Sequence, residues 1–176
     1  MTMQFDLEHD GFVGEFHPGA RYPGKAVLYV GGASCDRKMT LAMGRFIEDA
    51  GFSVLYLGFY LWEGLPKEMW RIPVDYAERA AKWLISHGYE PCMMGASTGA
   101  GYTLLSASLI PEIHGAAALC PFDHVMEGME LLAGFRTARS TSSTARNTHI
   151  PNLTPQRTAG SRCCERHGAR AFLSRG

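Results

Sequence analysis

The stretch PCMMGASTGAGYTLL, residues 91–105, decides the fold of this chain because it contains a G-x-S-x-G motif at Gly95–Gly99. The short apolar run before the motif, Pro91 to Met94, is typical of a buried strand. The uncharged segment after it, Ser97 to Ser108, is typical of a buried helix. A serine between a strand and a helix must adopt a strained backbone, and small neighbours allow the sharp turn.

This turn predicts a nucleophilic serine. It presents the hydroxyl of Ser97 at a helix N-terminus, where free N–H groups and the helix dipole favour developing negative charge. The backbone N–H of Thr98 is then one oxyanion donor, and the second would come from the glycine-rich loop at Gly31–Ser34. The alternative is a tight turn whose small residues serve packing alone.

Outward from the motif, short apolar runs alternate with amphipathic segments. This alternation predicts an α/β fold with a mostly parallel sheet and helices on both faces. The expected strands are 26–30, 52–57, 91–94 and 115–120, and the expected helices are 39–50, 73–87 and 97–108. In the first helix, the apolar residues at helical spacing are Met39, Met43, Phe46, Ile47 and Ala50, and we expect them to form its buried face.

Charge divides the chain into two parts. Residues 1–134 carry 9 basic and 16 acidic groups, whereas residues 135–176 carry 8 arginines and the single acid Glu165. The second part is rich in Ser, Thr, Arg, Pro and Gly without apolar periodicity, so we expect a disordered tail. The predicted division is therefore a folded domain over 1–134 and a tail over 135–176.

Several functional classes are excluded or disfavoured. The acidic N-terminus does not resemble a signal peptide, and five scattered cysteines argue against a disulfide framework, so we expect a cytoplasmic protein. The charge-free run 91–111 contains too many Gly, Ser and Thr residues to span a membrane. Cys163, Cys164 and His167 lack the spacing of zinc motifs, and we expect no metal and no cofactor. The basic tail could bind nucleic acid, but a solvated tail is favoured.

The chain resembles the C-terminal domain shared by acyl-CoA thioester hydrolases and bile acid-CoA:amino acid N-acyltransferase, a branch of the α/β-hydrolase fold. The matching segments are KAVLYVGG (25–32), DAGFSVLYLGFY (49–60), EGLPKEMWRIPVDYAERAAKWL (63–84), MMGASTGAGYTLLSAS (93–108), PEIHGAAALCP (111–121) and HVMEG (124–128). The resemblance ends near Gly134, which implies that residues 1–134 form an incomplete α/β-hydrolase domain, truncated at that point. The Arg-only tail suggests a shift of reading frame as one explanation.

The resemblance implies a serine hydrolase of acyl thioesters in acyl-CoA and fatty acid metabolism, with a small-molecule substrate. It makes Ser97 the nucleophile, and because acyltransferase members have Cys at that position, serine favours hydrolysis. It also maps the second oxyanion donor near Ala33, although the loop sequence GGASCD departs from the family's longer glycine run. Cys35 in the same loop is interpreted as an incidental thiol rather than a second nucleophile.

The general base and its acid are not evident. In this fold they follow the nucleophile in the order acid, then His. Asp123 is the only aspartate after Ser97. Its weak candidate partners are His149 and His167, whereas His114 and His124 are interpreted as incidental. We therefore expect a chain that is impaired as it stands, unless Asp123 and a tail histidine complete a triad. The alternatives are a dienelactone-hydrolase-like enzyme, a general carboxylesterase, or a non-catalytic product with a basic tail. Oligomeric state is left open.

Overall fold

The computed structural model describes residues 2–123, 126–130 and 134–137. The helices are α1 (Arg37–Asp49), α2 (Asp75–Ser86) and α3 (Thr98–Leu109). The strands are β1 (Met3–Phe5), β2 (Val13–His17), β3 (Lys25–Val30), β4 (Ser53–Gly58), β5 (Met69–Trp70), β6 (Glu90–Ala96), β7 (Ala116–Leu119), β8 (Met126–Glu130) and β9 (Gly134–Thr137). All four predicted strands and all three predicted helices are present, with ends that differ by one or two residues.

Six strands form the main sheet in the order β1-β2-β4-β3-β6-β7. The four strands predicted from sequence are parallel to one another, whereas β1 and β2 are antiparallel additions at one edge. Strand β2 was not predicted from the sequence because its central residue is a glutamate. Glu15 is buried there, and its charge is paired with Arg37, which lies outside the strand.

The helices cover both faces of this sheet. On one face, α2 and Tyr102 of α3 pack in a core that includes Leu28 and Leu55 of the neighbouring central strands. On the other face, Ile47 of α1 packs with Tyr29 and Tyr56. Consecutive residues of β3 and β4 therefore serve opposite cores, as expected for strands that are buried on both sides. The predicted α/β class and its two helical layers are confirmed.

The prediction for the buried face of α1 was wrong in part. Met39, Met43 and Phe46 are 50%, 41% and 51% exposed. The buried residues of this helix are Thr40, Gly44 and Ile47. The reason is the bulk of two tyrosines on the sheet, since a Cβ at Gly44 would lie 2.5 Å from Cε1 of Tyr56 and 2.8 Å from Cδ1 of Tyr29. Small residues must therefore face the sheet, and the helix is rotated away from its most apolar side.

Both ends of α1 follow local signals. Asp36 accepts a hydrogen bond from the N–H of Met39 at 2.8 Å, which caps the N-terminus. Gly51 has φ = 97° directly after the C-cap residue Ala50, and the predicted role of this glycine at the helix end is confirmed.

A second sheet of three strands, β5-β8-β9, was not anticipated. Its last strand, Gly134–Thr137, begins at residue 134, where the hydrolase domain was expected to end. The remainder of the tail, with its predicted disorder, lies outside the described residues, so the domain boundary stays a prediction. Within the described part of the chain, no helix has both the length and the apolar character needed to cross a membrane.

Candidate active site

Ser97 occupies the turn between β6 and α3. Its backbone has φ = 54° and ψ = −118°, a conformation that residues other than glycine rarely adopt. The N–H of Ser97 donates to the carbonyl of Leu119 at 2.8 Å, and its carbonyl accepts from Ala100 at 3.0 Å. These bonds hold the strained turn between β7 and the first turn of α3. The side chain is exposed and makes no capping hydrogen bond to the helix, so the hydroxyl is free to meet a substrate.

The two outer glycines of the motif are required by close contacts. A Cβ at Gly95 would lie 2.3 Å from the carbonyl oxygen of Gly99. A Cβ at Gly99 would lie 2.0 Å from the carbonyl oxygen of Gly31, in the loop after β3. Real Cβ atoms do not approach backbone oxygens this closely. The glycines of the motif therefore allow the end of β6, the start of α3 and the loop after β3 to lie in close contact.

The loop after β3 contacts the serine turn directly. A Cβ at Gly32 would lie 3.4 Å from Cβ of Ser97, which is ordinary van der Waals contact. Within residues 2–123, neither the N–H of Ala33 nor that of Thr98 donates a hydrogen bond to a protein acceptor. Neither of the two predicted oxyanion donors is therefore used within the protein, and their role in an oxyanion hole stays a prediction. Because α3 contains no charged residue, its N-terminal dipole is not neutralised from within the helix.

Cys35 is not placed as a nucleophile. Its side chain is buried, with 5% exposure, and it accepts a hydrogen bond from the N–H of Gly32 at 3.2 Å. From the sequence, this thiol was interpreted as incidental. A cysteine that follows a glycine by three residues is too common a pattern to indicate a specific role for the thiol.

The described residues do not bring an acid and a base to Ser97. Asp123 is exposed and follows β7 by four residues. His114 is exposed just before that strand, and its N–H donates to Pro91. Within residues 2–123, the Ser97 hydroxyl makes no hydrogen bond to a histidine. His124, His149 and His167 lie outside the described residues, so the predicted roles of Asp123 and His149 stay predictions.

The aromatic loop after β4 mainly covers the sheet. Phe59, Tyr60 and Trp62 are buried, whereas Trp70 is 41% exposed. Burial, together with the nearby Cys35, raises the pKa of Tyr60 to about 12, so this phenol stays protonated at neutral pH.

Among the described residues, no group of three or more His, Cys, Asp or Glu side chains could hold a metal ion.

Comparison with known proteins relates the chain to thioesterases. No protein-family model matches it. Over 103 residues, 56% of the chain, it is 33% identical to the peroxisomal succinyl-coenzyme A thioesterase of Mus musculus and 30% identical to acyl-coenzyme A thioesterase 1 of Homo sapiens. The matched region spans only 23% of each of these relatives.

Solved structures with the same fold are esterases and hydrolases. A bacterial esterase of the hormone-sensitive lipase family matches with a TM-score of 0.52 and 24% identity over 70% of this chain and 44% of its own. A protein of Klebsiella pneumoniae assigned as a dienelactone hydrolase matches with a TM-score of 0.55 and 16% identity, over 74% of this chain and 63% of its own. At these identities the likeness concerns the fold alone. The chain is therefore an α/β-hydrolase-fold protein whose sequence is similar to the acyl-coenzyme A thioesterases.

Proposed function

We propose that the chain contains the nucleophile and oxyanion hole of a serine hydrolase that acts on acyl thioesters. The observation that carries this proposal is the positive φ of Ser97 on a strand-to-helix turn that contacts the glycine loop after β3. Backbone strain of this kind costs about 1–3 kcal/mol and clusters at functional sites, so a strained serine with an exposed hydroxyl supports a use for that hydroxyl. The similarity to acyl-coenzyme A thioesterases supports a thioester as the substrate.

In the proposed reaction, the Ser97 hydroxyl attacks the acyl carbonyl. The C–O bond to the serine forms as the carbonyl becomes an oxyanion, and the N–H groups of Thr98 and Ala33 donate hydrogen bonds to that oxygen. Collapse of this intermediate breaks the C–S bond and releases the thiol, and water then hydrolyses the acyl-enzyme. A general base must accept the serine proton and return it to the leaving thiolate. Asp123 with His149 or His167 is the pair predicted for that role, and without such a pair turnover would be weak.

A fluorophosphonate probe tests the nucleophile without requiring turnover. We expect one adduct on the peptide that contains Ser97, no adduct in Ser97→Ala, and an unchanged adduct in Ser108→Ala. Ser108 is the matched control because it is an exposed serine on the same helix that only hydrogen-bonds Leu105. Labelling that survives Ser97→Ala would contradict the proposal, and so would an unreactive wild-type chain.

Substrate class is tested on the same variants. Acyl-CoA thioesters, p-nitrophenyl esters and a dienelactone should be compared at equal concentration. We expect Ser97-dependent release of CoA to exceed release of p-nitrophenol. The reverse order would favour the carboxylesterase alternative, and selective opening of the lactone would favour a dienelactone-hydrolase-like enzyme. Salt-sensitive retention on heparin without any of these activities would favour the non-catalytic product with a basic tail. A cytoplasmic location and a place in fatty acid metabolism remain part of this proposal.

A further inference from the structure

Cys35 binds both backbone polar groups of Gly32. Its own N–H donates to the Gly32 carbonyl at 3.1 Å, which closes a turn over residues 32–35. Its Sγ accepts from the Gly32 N–H at 3.2 Å, and the thiol in turn donates to Sδ of Met43 at 3.5 Å. The thiol proton is thus directed at Met43, which leaves the sulfur free to accept from Gly32. This reciprocal pairing has the logic of a capping box, in which residues three apart satisfy each other's free groups.

The turn held by Cys35 contacts the candidate nucleophile. A Cβ at Gly31 would lie 2.5 Å from Cβ of Cys35, so the side chain packs directly under the glycine pair. On the other side, Gly31 abuts Gly99, and Gly32 abuts Ser97. Because Cys35 is buried and closely packed, a change in its side chain is transmitted through two glycines to the serine turn.

The hydrogen bonds also select which amide is available. The Gly32 N–H is engaged by sulfur, so it is not available to an incoming oxyanion. The next N–H, that of Ala33, belongs to the second residue of the turn, whose N–H is not used in closing a turn. We propose that Cys35 is a positioning residue that orients the Ala33 N–H toward the oxyanion formed at Ser97. This inference rests on the proposed function, and it gives the thiol a part in the site without making it a nucleophile.

Three substitutions of Cys35 separate the effect of its hydrogen bond to Gly32 from the effect of its side-chain volume. Cys35→Ala removes both the acceptor and volume, and Cys35→Val keeps the volume but removes the acceptor. Cys35→Ser keeps an acceptor and should therefore rescue the function. The controls are Cys92→Ala and Cys120→Ala, because both cysteines are exposed.

The first readout is amide hydrogen exchange measured by NMR. We expect the Gly32 N–H to exchange at least about 10-fold faster in Cys35→Ala and Cys35→Val than in the wild-type chain and in Cys35→Ser, since a protecting hydrogen bond is lost. The second readout is the rate of fluorophosphonate labelling at Ser97, together with kcat and KM for a p-nitrophenyl ester. We expect labelling rate and kcat to fall about 10-fold in the two variants without an acceptor, with KM unchanged and with activity largely retained in Cys35→Ser.

The outcomes distinguish this inference from the function on which it rests. A reactive wild-type chain whose labelling rate does not change in Cys35→Val overturns the positioning role alone. Equal Gly32 exchange in the wild type and in Cys35→Val overturns it as well. A wild-type chain that does not react at Ser97 overturns the proposed function and, with it, any catalytic contribution of Cys35. If Cys35→Ala does not fold, the comparison of Cys35→Val with Cys35→Ser decides.

Discussion

Nδ1 of His17 lies 3.0 Å from Oε2 of Glu48, which joins the end of β2 to the last turn of α1. Nε2 of the same ring lies 2.8 Å from Oε1 of Glu15, whose other oxygen accepts from Arg37. Tyr56 donates to the second oxygen of Glu48. Because carboxylates only accept hydrogen bonds, both ring nitrogens of His17 are donors here, as in the imidazolium form.

This network predicts a stability maximum in mildly acidic solution. Burial acts to lower the pKa of His17, but the hydrogen bonds to Glu15 and Glu48 outweigh it and raise the pKa above 6.5. Burial acts to raise the pKa of Glu48, but hydrogen bonds from Tyr56 and His17 outweigh it and lower the pKa below 4.5. The contribution of His17 is complete below pH 6.5 and is lost as pH rises through its raised pKa. The contribution of Glu48 is complete above pH 4.5 and is lost as pH falls through its lowered pKa.

The measurement is urea denaturation between pH 4 and 9 for the wild type and His17→Gln. We expect the network to stabilise the fold most between about pH 4.5 and 6.5, and the decline above that window should be smaller in His17→Gln. His87→Gln is the control, because His87 contacts Ser86 and Trp83 rather than a carboxylate. Equal slopes above pH 6.5 for the wild type and His17→Gln would show that the ring is not protonated in the native state.

The strain at Ser97 can be measured by two substitutions that both remove the hydroxyl. Glycine adopts a positive φ without steric cost, whereas alanine keeps the Cβ that makes this conformation unfavourable. We expect Ser97→Gly to be more stable than Ser97→Ala by about 1 kcal/mol, and both to lose fluorophosphonate labelling. The free energy of unfolding from urea denaturation gives the comparison. An alanine variant as stable as the glycine variant would mean that the turn relaxes in solution.

Two glycines at the start of α3, Gly99 and Gly101, should respond differently to alanine. At Gly99 the added methyl would collide with the Gly31 carbonyl, so Gly99→Ala should destabilise the fold by about 2–4 kcal/mol and slow labelling of Ser97. Gly101 is two residues further along α3, and a Cβ there would meet no atom within 4 Å. Gly101→Ala should therefore stabilise the fold by about 0.5–1 kcal/mol through helix propensity. Thermal denaturation of both variants measures the contrast, and a similar loss of stability in both would contradict the packing at Gly99.

Adjacent residues of α1 test the orientation of this helix. Phe46 is 51% exposed, whereas Ile47 is 4% exposed against Tyr29 and Tyr56. We expect Ile47→Ala to lower the free energy of unfolding by about 2–4 kcal/mol and Phe46→Ala to change it by less than about 0.5 kcal/mol. A larger loss of stability in Phe46→Ala than in Ile47→Ala would support the helix orientation expected from hydrophobic spacing alone.

The order of strands and helices and the serine turn were predictable because their signals are local. Apolar runs such as Phe52 to Leu57 end at glycines, and Pro73 and Gly88 bracket the second helix, so neighbouring residues are enough to recognise each element. The G-x-S-x-G motif likewise contains the small residues that its own turn requires. The resemblance to thioester hydrolases depended on the same short segments.

Other features were decided only when distant parts of the chain came together. Glu15 is tolerated inside β2 because Arg37, from the first turn of α1, pairs with its carboxylate, together with His17 of the same strand. This pairing neutralises a charge that is otherwise unfavourable inside a sheet. The rotation of α1 is imposed by Tyr29 and Tyr56, which belong to two strands on either side of that helix in sequence. The Leu119 carbonyl that holds Ser97 comes from β7, which only the pairing of β6 with β7 brings next to the serine turn. Periodicity and motifs indicate which segments are buried. The contacts between segments determine which face of each segment is buried and which backbone N–H groups are left without a protein acceptor.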